Sequence, residues 1–417
     1  MTAPDTVATA DTARADVPRG ALRLMVDPVF GVIMWGKLFA SSGAWMHLVV
    51  AAVIVYDATG SALLVGMVSM AQFGPQLLLS LVAGAWADRG YAYRQIVLGR
   101  AATAVASGGL GAWFVWQGED GGRYGVAAVL VATVLMGTGF AVAAPAMHSV
   151  VPSLIRPGEL PVAMALNSAP LTFSLVIGPV LGSYVAAHLG AAAAFGIAGF
   201  IHLLFVVMMM LVGLPQQARL RAGEDSSIRT ALAHVWRDRP LLALLTGIAG
   251  VGLAAEPTIT LAPALVSELG EASGVVGVIT GSFGGGAALS LMLFGVLNKW
   301  VTTPRLASSG VVLMAAGLAV VGSFLTIETS IAGFFCCGFG FTLVLTGMSA
   351  LVQERAPGHL RGRIMAVWVM AVLGSRPLAA AVEGFVADTW SVRIAILCPL
   401  VALAAVFVST RPSRLSR

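Results

Sequence analysis

Residues 84–94 read GAWADRGYAYR, a short polar break with a long apolar run on either side. A chain so briefly interrupted turns back on itself, so the stretch is a tight hairpin between two membrane helices. Gly84 lies one turn before the acid–base pair Asp88-Arg89, and Arg94 follows. A carboxylate at such a helix end can cap the exposed N-terminus of a neighbouring helix, where the macrodipole leaves partial positive charge. Arg89 and Arg94 stand just outside the apolar run, as basic residues do on the cytoplasmic side of a membrane. Gly84, Asp88, Arg89 and Arg94 are therefore the candidate latch between two groups of helices.

The composition around this hairpin agrees with it. The 417 residues are 58% hydrophobic and 10% charged, with a mean hydropathy of +0.91, which suits a polytopic chain solvated by a lipid bilayer. The net charge of +5 is scattered over short loops and gives no nucleic-acid-binding face. Cys336, Cys337 and Cys398 fall in apolar runs, match no metal or disulfide spacing, and read as small packing residues. The first residues are rich in Thr, Ala and Asp and lack the apolar core of a signal peptide.

Apolar runs of about the ~20 residues that cross a bilayer recur through the chain. They lie near 29–55, 61–87, 96–116, 124–150, 161–187 and 190–214, and again near 241–267, 273–298, 306–327, 330–353, 364–388 and 391–409. They predict an all-α membrane protein with twelve transmembrane helices in two six-helix bundles of internal pseudo-symmetry. The expected boundaries are a disordered cytoplasmic tail over 1–28, a first bundle over 29–214, a cytoplasmic linker over 215–240, a second bundle over 241–410 and a cytoplasmic tail over 411–417. In the linker, Ile228, Leu232, Val235 and Trp236 recur at helical spacing among Arg229, Arg237 and Arg239. An amphipathic helix on the cytoplasmic membrane surface fits this pattern, and a solvated tether fits it equally.

Orientation follows from the basic residues. Counted from Asp57, the odd connections carry Asp57, Glu119, Asp120, Glu268, Glu271, Glu328 and Asp388 against only Arg123 and Arg393. The even connections and tails carry Arg19, Arg89, Arg94, Arg100, Arg156, Lys299, Arg305, Arg355, Arg361 and Arg411 among others. Both termini are expected in the cytoplasm, with the chain a multi-pass protein of the cell membrane. The halves also echo one another: Ser149, Pro157, Gly158 and Leu160 recur as Ser349, Pro357, Gly358 and Leu360, at the same place in each half. The hairpin at 84–94 has a degenerate counterpart at 295–305, where Lys299 stands in place of Asp88.

GAWADR at 84–89 resembles the loop signature of the major facilitator superfamily, a Gly, three residues, Asp-Arg and further basic residues; here Ala92 and Tyr93 stand where basic residues are usual. SSGAWM at 41–46, AQFGPQLLLSLVAGAWADR at 71–89, ELPVAMALNSA at 159–169 and HLRGRIMAV at 359–367 are similar, in that order, to the secretion-effector branch. That branch includes enterobactin-exporter-like and actinobacterial multidrug-efflux proteins. The resemblance covers both bundles and implies export of small, mostly apolar or amphipathic molecules driven by the proton gradient. Ser174, Gly178, Pro179 and Gly182 resemble the antiporter signature of the fifth helix, which implies a kinked gating helix. Generic close packing of small residues explains the same spacing. The Arg that many proton-coupled members carry in the fourth helix is absent, and Thr133 stands four residues before Gly137-Thr-Gly139.

An ionisable side chain at membrane depth costs roughly 3 kcal/mol or more unless it pairs or faces a wet cavity. Glu256 past the middle of the seventh run and Arg376 midway along the eleventh lie at comparable depth, and Glu383 is two turns beyond Arg376. A Glu256–Arg376 pair, or a triad with Glu383, is expected. As a proton carrier, the carboxylate stays ionised while paired and takes a proton when the pair opens; a static structural ion pair is the other reading. Lys37 in the first run is either a counter-charge to substrate or a snorkelling side chain. Trp45, Gln72, Asn167 and Trp368 are candidates to line a substrate cavity, or to pack and bridge helices. His47, His148, His188 and His202 are spread over four runs without metal-ligand spacing, so no metal is expected. Protease constellations and a P-loop are also missing from the sequence, which leaves no enzyme, no cofactor and the proton gradient as energy source.

The expected protein is a monomeric secondary active transporter that exports a small amphipathic or apolar molecule, such as a drug, siderophore or natural product, by alternating access. Uptake or facilitative transport on the same fold is the alternative, and a non-transporting membrane protein the remote one.

Overall fold

Long apolar runs leave the backbone one way to satisfy its own hydrogen bonds in lipid, and that is the helix. The computed structural model describes residues 18–119, 121–212, 228–357 and 360–411, and no strand occurs among them. The elements are α1 (Ala21–Met25), α2 (Phe30–Thr59), α3 (Ala62–Trp86), α4 (Ala92–Gln117), α5 (Gly125–Ser149) and α6 (Leu160–Val212). They continue with α7 (Ile228–Arg237), α8 (Arg239–Ala254), α9 (Pro257–Thr260), α10 (Ala262–Glu268), α11 (Val276–Leu297) and α12 (Thr303–Phe324). The last are α13 (Ile327–Arg355), α14 (Arg361–Gly374), α15 (Arg376–Thr389), α16 (Val392–Leu397) and α17 (Pro399–Ser409).

Among the described residues, ten stretches are long and apolar enough to cross a membrane by length and composition. One of them, 162–212, doubles back: Gly190 has φ 85 inside α6, a conformation open to glycine. The arm before it packs Gly178 and Gly182 on Ser42, Trp45 and Met46 of α2, and the arm after it packs Ala198 and His202 on Gly43 of the same helix. The 26-residue α4 is more polar yet of spanning length. With α4 and the two arms of α6, the described residues hold twelve stretches of spanning length; the end of the bundle that holds α1 and the hairpin at 84–94 is called here the tail face.

Local chemistry sets the ends of these helices. Asp27 Oδ1 accepts from Val29 N and Phe30 N to start α2, and left-handed Gly60 ends it. Thr326 and Thr329 form a capping box at α13. Within each half the third and fourth crossings meet at paired glycines, Gly99 on Gly139 and Gly310 on Gly340, where an added Cβ would strike the opposite backbone. The two halves are joined by two helix pairs. On α3 and α15, Gly66 meets Ala380 and Gly384 meets Ala62 and Leu63, and Gly374, which ends α14, meets Leu77 of α3. On α6 and α11, Gly277 meets Pro179 and Ser183, and Gly284 meets Leu175 and Val176. All of these approaches run from the face opposite the tails to about mid-depth.

Three expectations change. Residues 18–28, assigned to a disordered tail, are folded: Leu24 of α1 is buried with Phe30, Met34 and Ala163, because Arg19 ties the segment to Glu159; residues 1–17 lie outside the described residues. Arg100, counted among the loop cations, is buried inside α4 under the rings of Phe140 and Phe205. In the linker, 213–227 lies outside the described residues, but α7 buries Ala231 and Val235 against the second half, exposes Trp236, and is therefore no free tether there.

Candidate functional site

Two dipeptides build the centre of the second half, Glu256-Pro257 and Arg376-Pro377. Proline lacks an N–H and its ring clashes with the preceding turn, so each interrupts its helix. The seventh crossing is cut between α8 and α9, and the eleventh between α14 and α15. The two breaks face one another: an added Cβ at Gly252 would strike the carbonyl of Val372 and the hydroxyl of Ser375. Interrupted helices at mid-depth are where transporters place binding and coupling groups.

Arg376 Nε donates to Glu256 Oε2 at 2.7 Å, and Thr260 Oγ1 donates to Glu256 Oε1 at 3.0 Å. Glu256 is wholly buried and Arg376 is 8% exposed. The guanidinium also reaches across to the first half, 4.5 Å from the ring centroid of Phe73 and 5.7 Å from that of Trp45. Ser69 and Thr260 hydroxyls, 3.5 Å apart, add a second polar contact between halves. Glu383, expected as the third member, is buried beside Glu256 and Arg376, yet neither of its oxygens has a hydrogen-bond partner among the described residues.

The first half is built differently. Lys37 does not snorkel: it is 6% exposed and donates to Asn167 O at 2.7 Å and to Asn167 Oδ1 at 3.2 Å. The lysine stem points inward because the main-chain carbonyl and the side-chain amide oxygen of Asn167 both accept from its ammonium. Thr133, in the place of the fourth-helix Arg, gives its proton to Val129 O and so accepts from His47 Nε2–H, leaving His47 Nδ1 to accept from Ser107. Arg100 donates only to Met147 Sδ, and its Nε and Nη1 have no partner among the described residues, nor do both ring nitrogens of His202. Gln72 Oε1 and Trp368 Nε1 are likewise buried and without partners there.

The remaining candidates separate. Gly178 and Gly182 lie against α2, while Pro179 faces Gly277 of α11, so that helix sits between the halves; Ser174 Oγ donates to its own helix at Leu171 O. In the hairpin, Ala87–Tyr91 form a π-turn with Gly90 at φ 87, Gly84 has open space beside it, and Arg89 and Arg94 are exposed. The Asp88 side chain lies outside the described residues. The halves thus meet at the face away from this hairpin. Two features went unread in the sequence: the prolines after Glu256 and Arg376, which were visible as dipeptides, and Asp388, which carried only a loop charge. No group of three His, Cys, Asp or Glu side chains that could hold a metal occurs among the described residues.

The sequence pattern of the major facilitator superfamily matches residues 33–380 and 257–415. The chain belongs to the major facilitator superfamily. Among curated superfamily relatives, the multidrug efflux pump Tap of Mycolicibacterium fortuitum is 23% identical over 391 residues, 90% of this chain and 94% of that one. The enterobactin exporter EntS of Salmonella typhimurium is 26% identical over 251 residues, 57% of this chain and 58% of that one. A bacterial homolog of the human lysosomal transporter Spinster, solved inward-facing and unoccupied, superposes with a TM-score of 0.72 at 13% identity, covering 91% of this chain and 96% of that one. The nucleoside transporter NupG superposes with a TM-score of 0.71 at 11% identity, covering 94% and 98%. This superfamily member is a multi-pass membrane transporter and not an enzyme.

Proposed function

We propose that this transporter exports small amphipathic or apolar molecules across the cell membrane by alternating access, coupled to inward proton flow. The observation that carries the reading is the Arg376–Glu256 pair at two facing helix breaks, with Glu383 buried beside it and without a hydrogen-bond partner among the described residues. A proton reaching Glu256 cancels the charge that holds Arg376, and the guanidinium turns toward Glu383 through water. Re-forming the pair expels the proton, so each opening of the pair is tied to one proton. Arg376 also stacks on Phe73 and Trp45 of the other half, so its release loosens the contact between halves at the same moment.

The even connections keep their basic excess after Arg100 is removed from them, which sets the tail face in the cytoplasm with both termini. The contacts between halves then close the outer side, and the chain rests inward-facing as a monomer. The hairpin with Asp88 and Arg89 serves as the latch of the opposite, outward-facing state, and the helix with Gly178 and Pro179 as the gate. The Trp45, Gln72, Asn167 and Trp368 side chains border the cargo path, and Lys37 braces it through Asn167. The efflux and exporter names of the curated relatives support export over uptake.

The test is ethidium accumulation in cells with and without the protein, each with and without an uncoupler. Lower accumulation is expected only in cells that hold the protein and an intact gradient, and Glu256→Gln should abolish it while the protein stays folded in the membrane. Equal accumulation in all four conditions, or full activity of the Gln variant, contradicts the reading.

A further inference from the structure

The start of α3 lacks an acidic residue in its own first turn, and its N-cap Ser61 satisfies only Leu64 N. The free N–H groups beside it are taken by a carboxylate from the other half. Asp388 Oδ1 accepts from Ala62 N at 2.7 Å, and Oδ2 accepts from Leu63 N at 3.1 Å and from the Ser61 hydroxyl at 2.6 Å. The partners are 327 positions apart in sequence. A carboxylate at a helix N-terminus gains both from the hydrogen bonds and from the partial positive charge there.

Asp388 does not act alone on its helix. Positions 376, 380, 384 and 388 of α15 fall four apart and so share one face. Arg376 lies over Phe73 and Trp45, Ala380 sits on Gly66, Gly384 on Ala62 and Leu63, and Asp388 on the end of α3. The helix is therefore clamped to the first half by a cation at its inner end and an anion at its outer end, with its smallest side chains between them. Beside the outer end lies an open cavity of about 320 Å³ lined by Tyr56, Ser61, Ala264, Asp388 and Val392, with room for the water that would solvate these groups once parted.

We propose that Asp388 is the outer latch of the transport cycle, and that α15, as one rigid bar, ties its release to the release of Arg376 at the inner end. The inference rests on the alternating-access reading but on neither export nor protons. Ethidium accumulation indifferent to protein and uncoupler would sink those and leave the latch intact.

The experiment is a spin-label distance measurement in nanodiscs across the outer face. Labels go on Trp116→Cys and Glu271→Cys, both exposed positions on opposite halves, with Cys336, Cys337 and Cys398 replaced by Ala. Asp388→Ala should raise the long-distance population roughly three- to tenfold, and Ser61→Ala should raise it less, with the thermal melt showing both variants folded. In combination with Glu256→Gln the shift should be smaller than the product of the two single effects, since one bar is freed from either end. An unchanged distance distribution in folded Asp388→Ala overturns the latch, and independent effects in the double variant overturn the tie to Arg376.

Discussion

Each half of the molecule joins its first and fifth crossings through one buried polar contact, and the two contacts are unlike. In the first half Lys37 reaches the amide and carbonyl of Asn167 between helices that run on through the contact. In the second, Arg376 meets the carboxylate of Glu256 where both helices are cut by proline. Among the described residues the buried carboxylates are Glu159, Glu256 and Glu383, and Glu159 is taken up by Arg19 near the tail face. The interior of the first half therefore holds cations among neutral groups, and that of the second holds opposite charges at helix breaks. Only the second arrangement sets opposite charges against each other at helix breaks, so under the proposed mechanism the first half is the frame and the second the engine.

The comparison breaks if the two contacts respond alike to mutation. The largest effect is expected for Arg376→Ala, which strands Glu256 in the interior and should cost about 3–5 kcal/mol of stability. Adding Glu256→Gln should restore more than half of that, as read by denaturation in detergent. Lys37→Met removes a cation whose partner is a neutral amide, so stability should move by no more than about 1.5 kcal/mol and ethidium efflux should persist. A loss at Lys37 as large as at Arg376 would erase the division between the halves.

The smallest effect is expected at the tail. Chiefly the hydrogen bond from Arg19 holds the Glu159 carboxyl down at about 2, aided by the N–H groups of Arg156 and Arg19 and opposed by burial. A carboxyl held low stabilises the fold above its ordinary value of 4.5 and loses that contribution only as pH falls through about 2. Arg19→Ala should thus lower the melting temperature by roughly 1–3 °C, equally at pH 6 and pH 8. A pH-dependent difference within that range would contradict the assignment.

The helices were legible because lipid demands long apolar runs: the run expected at 29–55 is Phe30–Thr59, and that at 61–87 is Ala62–Trp86. The proximity of Glu256 and Arg376 was legible from depth alone, since two misplaced charges of opposite sign have few other places to go. The breaks beneath them were written in the following prolines and missed because hydropathy averages across a single residue. Arg100 was misread because it follows closely on the loop cations Arg89 and Arg94. What surrounds it is Phe140, Met147 and Phe205, brought from two other crossings. Asp388 looked like a topology mark for a similar reason, as its partner at Ser61–Leu63 belongs to the other half. Lys37 was expected to snorkel because a long stem permits it, and only the position of Asn167 shows why it does not.

The most direct test of the engine is the distance between the tail-face ends of the two halves, followed by paired spin labels in nanodiscs as pH is varied without cargo. The account predicts that the wild-type distribution shifts between closed and open populations with pH, and that Glu256→Gln holds one distribution throughout. An equal pH response in the Gln variant would show that the protons act elsewhere.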